Sequence, residues 1–113
     1  MVVDDEALLE AMGNDEETVQ AVVATFLRAL NAYEAELFNC VASGANDDVR
    51  EVAHKLKGAL SNLRASQATE SAAALEHAAK SGRSNEFSGL TSALSQRMTE
   101  VRQHFEMRNP PPA

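Results

Sequence analysis

The sequence predicts an all-α fold, an antiparallel up-down-up-down four-helix bundle with a short N-terminal lead-in helix. Three observations predict it. Apolar residues recur three or four positions apart through four long segments. All three prolines lie in Pro110-Pro111-Pro112, so nothing interrupts those segments. The connections between segments are short, which makes successive helices antiparallel neighbours. The 113 residues, 44% of them apolar, suffice for one domain with a modest core. The expected division is a bundle over residues 1–108 and a flexible Pro-rich tail over 109–113.

The lead-in, about Asp4 to Met12, ends at Gly13. Asn14 then reads as an N-cap with Glu17 three positions on. The first long helix is expected from about Asp15 to Val41, with Val19, Val22, Val23, Phe26, Leu30, Tyr33 and Leu37 as its apolar stripe. Ser43-Gly44-Ala45-Asn46 reads as a stop followed by a new cap. The second long helix, about Asp47 to Ala65, has the cleanest stripe: Val49, Val52, Ala53, Leu56, Ala59, Leu60 and Leu63. The third, about Gln67 to Lys80, puts Ala68, Ala72, Leu75 and Ala79 on one face. Ser81-Gly82-Arg83-Ser84 ends it. The fourth, about Asn85 to Met107, turns Phe87, Leu90, Leu94, Met98, Val101 and Phe105 inward.

Composition excludes several classes of function. A formal charge of −7 argues against sequence-independent nucleic-acid binding, which needs a basic surplus. The single Cys40 rules out an internal disulfide or a Cys-rich metal site and fits a reducing compartment. No apolar run approaches the roughly 20 residues that span a bilayer. The acidic start, Asp4-Asp5-Glu6, lacks signal-peptide form. A cytoplasmic, monomeric domain without membrane contact is expected. His54, His77 and His104 fall on three different helices with no i, i+3 or i+4 pairing, so no metal site is expected. Neither Cys40 nor any Ser lies in a hydrolase nucleophile motif.

The second long helix carries the unusual chemistry. At about 100° per residue, His54 points about 160° away from the inward direction of its own stripe. Arg50, Lys57, Gly58 and Ser61 share that outer half. An exposed histidine alone is ordinarily an inert, solvated side chain. Gly58 changes the weighing, because a mid-helix Gly costs about 1 kcal/mol relative to Ala and on an outer face serves no close core packing. It stands one turn after His54 and leaves one flank of the imidazole bare. Lys57, at i+3, would stabilise an anion attached to the ring. Between Arg50 and Arg64, the cations Arg50, Lys55, Lys57 and Arg64 face only Glu51, giving +3 in a chain of −7.

Counting from a turn near Ala65 places His54 level with Glu76 on the third long helix, and Arg50 level with Lys80. A carboxylate at Glu76 could orient the imidazole by accepting a hydrogen bond from one ring nitrogen, leaving the other as nucleophile. Equally, Glu76 could be a surface residue paired with Lys80 at i+4. The candidate site is therefore His54 as phosphoryl acceptor, Lys57 for charge stabilisation and Glu76 for ring orientation. Gly58, Arg50, Lys55, Ser61 and Lys80 form its binding surroundings.

The run Ala53-His54-Lys55-Leu56-Lys57-Gly58-Ala59-Leu60-Ser61-Asn62-Leu63 resembles the motif of the histidine-containing phosphotransfer (HPt) domain of bacterial two-component phosphorelays. His54, Leu56, Lys57, Gly58, Ala59 and Leu63 match its pattern. Leu75-Glu76, Gly13-Asn14-Asp15-Glu16 and Phe26-Leu27 are similar to further family positions, so the resemblance spans about Leu8 to Phe105. Two positions depart from it: Arg64 stands where the family often has Gly, and Leu60 where smaller residues are usual. The resemblance implies that His54 accepts a phosphoryl group from a phospho-aspartate on a response-regulator receiver domain and passes it to another receiver. It further implies a carrier with no ATP site of its own, no bound cofactor, Mg²⁺ held by the partner receiver, and a sensor or hybrid histidine kinase upstream. The competing reading is a helical adaptor that binds a receiver or other signalling protein without being phosphorylated.

Overall fold

A computed structural model describes residues 1–108 of the chain. The tail expected at 109–113 lies outside the described residues. The described chain is all-helical, with no strand. It forms α1 (Asp5–Ala11), α2 (Glu16–Ser43), α3 (Asn46–Asn62), α4 (Ser66–Lys80) and α5 (Phe87–Arg108), with one 3₁₀ turn (Ser84–Glu86) leading into α5. The molecule measures 42 × 27 × 20 Å.

Helix boundaries follow local chemistry, and several differ from expectation; α3, expected to run to about Ala65, ends at Asn62, with Leu63 as its cap and Arg64 turned left-handed. The cap of α2 is Asp15, one residue later than expected. Its Oδ1 accepts from the Glu17 amide at 3.1 Å and its Oδ2 from the Thr18 hydroxyl at 2.8 Å. Asn14 instead shares the left-handed turn begun by Gly13, at φ 59° and 69° respectively, a conformation Asn tolerates because its short side chain can satisfy local backbone groups. Asn46 is already the first residue of α3, and Ala45 precedes it without a side-chain cap. The fourth long helix starts at Phe87 rather than near Asn85, because residues 84–86 take the tighter 3₁₀ form common at helix starts.

α3 and α4 share the most extensive helix interface, and α3 also packs on α2 and α4 on α5. All seven stripe residues of α3 are buried, as are Ala68, Ala72, Leu75 and Ala79 of α4. Leu60 is fully buried. Burying a leucine is worth about 1.5–3 kcal/mol, so its bulk contributes to the core. On α2 the stripe is only partly sunk: Val19, Val23, Leu30 and Leu37 are buried, whereas Val22, Phe26 and Tyr33 are half-buried.

Polar contacts join the remaining pieces. Arg102 of α5 donates to Asn31 and Glu34 of α2, each at 2.9 Å, and Ser95 donates to Glu34. Near the chain start, Asp5 pairs with His104 at 2.8 Å and Arg108 at 3.0 Å, and Arg108 also pairs with Glu16 at 2.7 Å. The Asp4 amide donates to the Arg64 carbonyl at 2.9 Å, fastening the lead-in to the α3–α4 turn. Val3 and Leu8 enter the core there.

Candidate phosphoryl-acceptor site

His54 sits mid-way along α3 with its side chain 67% exposed, because Val52, Ala53 and Leu56 take the inward directions around it. One ring nitrogen is engaged: Nδ1 lies 2.9 Å from Oε2 of Glu76 on α4. Glu76 itself is buried, only 6% exposed. Its other oxygen, Oε1, accepts from the Lys57 ammonium at 2.7 Å. Lys80 is more distant, its Nζ 3.9 Å from Oε2. Glu76 is therefore not the surface residue of the second sequence reading, and its interhelical contacts are much shorter than the i+4 approach of Lys80.

The charge state of Glu76 fixes the geometry of the imidazole. Burial alone would push its carboxyl up. Hydrogen bonds from Lys57 and His54, reinforced by their charges, outweigh that and hold it below the usual carboxylate range. An ionised carboxylate can only accept, so Nδ1 must carry the proton. In the neutral ring the lone pair then belongs to Nε2, the nitrogen turned away from Glu76.

The flank of the ring is open. Gly58 is exposed, and a Cβ built there would meet nothing within 4 Å. Its backbone is ordinary helix, not the left-handed region, so nothing in this chain's own packing requires a glycine. On the opposite side, one turn earlier, His54 borders a cleft of about 330 Å³ lined with Arg50, Glu51, Glu76 and Lys80.

Two candidate residues lie apart from this arrangement. Lys55 turns toward α2: its Nζ is 3.8 Å from Glu51 and 5.8 Å from the centre of the Tyr33 ring. Ser61 lines a separate cleft with Asp4, Ala7, Arg64, Ala65, Ser66 and Thr69. Nothing in the spacing of either helix links Tyr33, a member of the α2 stripe, to Lys55. Arg64, where the family often has Gly, adopts φ 60°, the left-handed form a helix exit favours and glycine adopts without strain. Cys40 is no rival nucleophile. Burial, then the carboxylates of Asp48 and Glu36, push its thiol up and away from the reactive thiolate. Among the described residues no helix is long and apolar enough to cross a membrane.

These features define a helical phosphocarrier class, and the comparisons agree. The Hpt domain family model matches residues 7–104, and the chain belongs to that family. Membership gives it a phosphotransfer role in a phosphorelay, as a carrier and not a kinase. A solved structure, histidine-containing phosphotransfer protein B (HptB) from Pseudomonas aeruginosa PAO1, is similar with a TM-score of 0.88 and 22% identity. The match covers 95% of this chain and 93% of that one. At that identity the likeness speaks for the fold. No match was found among the curated proteins.

Proposed function

We propose that Nε2 of His54 takes a phosphoryl group from the phospho-aspartate of a response-regulator receiver domain and delivers it to a second receiver. The observation that carries this reading is the 2.9 Å contact between Nδ1 of a two-thirds exposed imidazole and a buried, ionised carboxylate. It leaves the outward nitrogen as the nucleophile. In the forward step the P–O bond to the aspartyl carboxylate breaks, that carboxylate leaves with the electron pair, and the P–Nε2 bond forms. No proton need leave the ring. The positive charge that develops on it faces Glu76.

Such transfers pass through a loose transition state in which position and charge dominate. Glu76 supplies position. Lys57 supplies positive charge beside the reacting group while neutralising Glu76 at rest. Gly58 admits the receiver surface. Mg²⁺ belongs to the receiver in this scheme. The four long helices act as an up-down-up-down bundle that holds α3 and α4 rigid beneath a partner. The domain works as a cytoplasmic monomer, downstream of a sensor or hybrid histidine kinase.

The test is transfer from a radiolabelled phospho-receiver in Mg²⁺. Wild type should acquire acid-labile, alkali-stable label, and His54→Gln should acquire none. Equal labelling of the two would remove the central claim. Preserved signalling by His54→Gln in cells would favour the adaptor reading.

A further inference from the structure

We infer that Arg50 and Lys80, rather than Lys57, form the seat that holds the phosphoryl oxygens once His54 is phosphorylated. The inference rests on the reading of His54 as the acceptor and names the residues that stabilise its charged state.

Charge accounting around the ring leads to it. Lys57 is committed, its ammonium 2.7 Å from Glu76, and it does not line the cleft beside His54. Of the two carboxylates on that cleft, Glu76 is matched by Lys57 and His54, and Glu51 leans to Lys55 at 3.8 Å. Among the described residues Arg50 makes no ion pair, and Lys80 makes only the 3.9 Å contact with Glu76. Two largely uncommitted cations therefore face one opening.

Position agrees with charge. Arg50 precedes His54 by one helical turn, a Cβ separation of about 5–6 Å. Its long guanidinium can reach a group on the ring and present parallel N–H donors to phosphoryl oxygens. Lys80 comes from the facing helix, so the two cations approach the cleft from opposite walls. Its volume, about 330 Å³, accommodates a phosphoryl group with its water. Arg50 and Lys80 are exposed, so removing them does not disturb the core.

The test needs no receiver. Potassium phosphoramidate is used to load the histidine directly, and phosphohistidine is followed by ³¹P NMR. Removing both cations should raise the midpoint at which the bound phosphoryl takes up its last proton by roughly half a unit, since a nearby cation favours the dianion. The double variant Arg50→Ala/Lys80→Ala should also lose its phosphoryl group several-fold faster. Arg50→Lys, which keeps the charge, should recover most of both effects, and Arg97→Ala on α5 should change neither. A wild-type signal whose midpoint and lifetime the double variant leaves unchanged overturns the inference alone. A signal missing from wild type, or surviving at full intensity in His54→Gln, sinks the acceptor reading and the inference together; the exposed His77 accounts for any minor residual label.

Discussion

Glu76→Gln is the substitution that best separates charge from shape at this site. The amide is isosteric and can still accept a hydrogen bond from Nδ1, but it carries no charge. Glu76 makes two short contacts, 2.9 Å to His54 and 2.7 Å to Lys57. Hydrogen bonds to a charged group contribute about 1.5–3 kcal/mol each, roughly twice the neutral kind. His54 and Lys57 are 67% and 35% exposed and can turn to water, which reduces the loss. The expected destabilisation is about 1–2 kcal/mol, or roughly 4–8 °C in Tm for a domain of this size. Weakening the Nδ1 contact by about 1 kcal/mol should slow phosphoryl transfer about fivefold. The Glu76 carboxyl is held low in the folded state, so its contribution is complete above the usual carboxylate range. It is lost as pH falls through the depressed value. The Tm gap between wild type and Glu76→Gln should accordingly be widest near neutrality and close on acidification below that range. Rapid-quench transfer from a phospho-receiver and thermal melts across pH measure both effects. A variant that transfers within a factor of two of wild type and melts with it at every pH would refute the argument that Glu76 acts as an anion.

Two other substitutions probe the backbone around the site. Gly58→Ala should raise stability by about 0.5–1 kcal/mol in denaturant melts, because the position is helical and open. Gly58→Gln should fold at least as well yet transfer at least tenfold more slowly, by blocking the receiver; a loss of stability instead would point to a packing role. Arg64→Gly should stabilise the α3–α4 turn by roughly 0.5–1 kcal/mol, since the left-handed backbone there strains any side chain with a Cβ. An unchanged or lower midpoint would mean that the Arg64 side chain repays that strain.

What could be read from the sequence depended on how much of each answer lies within one helix. The α3 stripe is intrahelical and continuous, and every residue assigned to it is buried. The exposure of His54 follows from the same stripe by rotation alone. The α2 stripe is only partly sunk because α2, 28 residues long, is covered by its neighbours on only part of its apolar arc. Val3 and Leu8 show no readable signal: Val3 precedes the helix, and a seven-residue helix has too little periodicity to declare an inward face. The cap of α2 was displaced by one because Asn14 and Asp15 are both capping residues, and only the backbone turn at Gly13-Asn14 decides between them. Counting brought Glu76 level with His54, but not its burial, which depends on the rotation of α4 about its own axis. The direction of the Lys57 side chain, with four rotatable bonds, is not written in any spacing.

That last detail alters how the motif works. A buried carboxylate facing nothing would take up a proton and cease to orient the ring. Lys57 avoids that outcome by occupying Oε1 while Nδ1 occupies Oε2, so the carboxylate stays ionised and the ring stays oriented. On this reading the lysine three residues after the histidine serves first as the counter-ion of Glu76. The phosphoryl oxygens then need their own cations, and the uncommitted charges at Arg50 and Lys80 stand on the cleft that His54 borders.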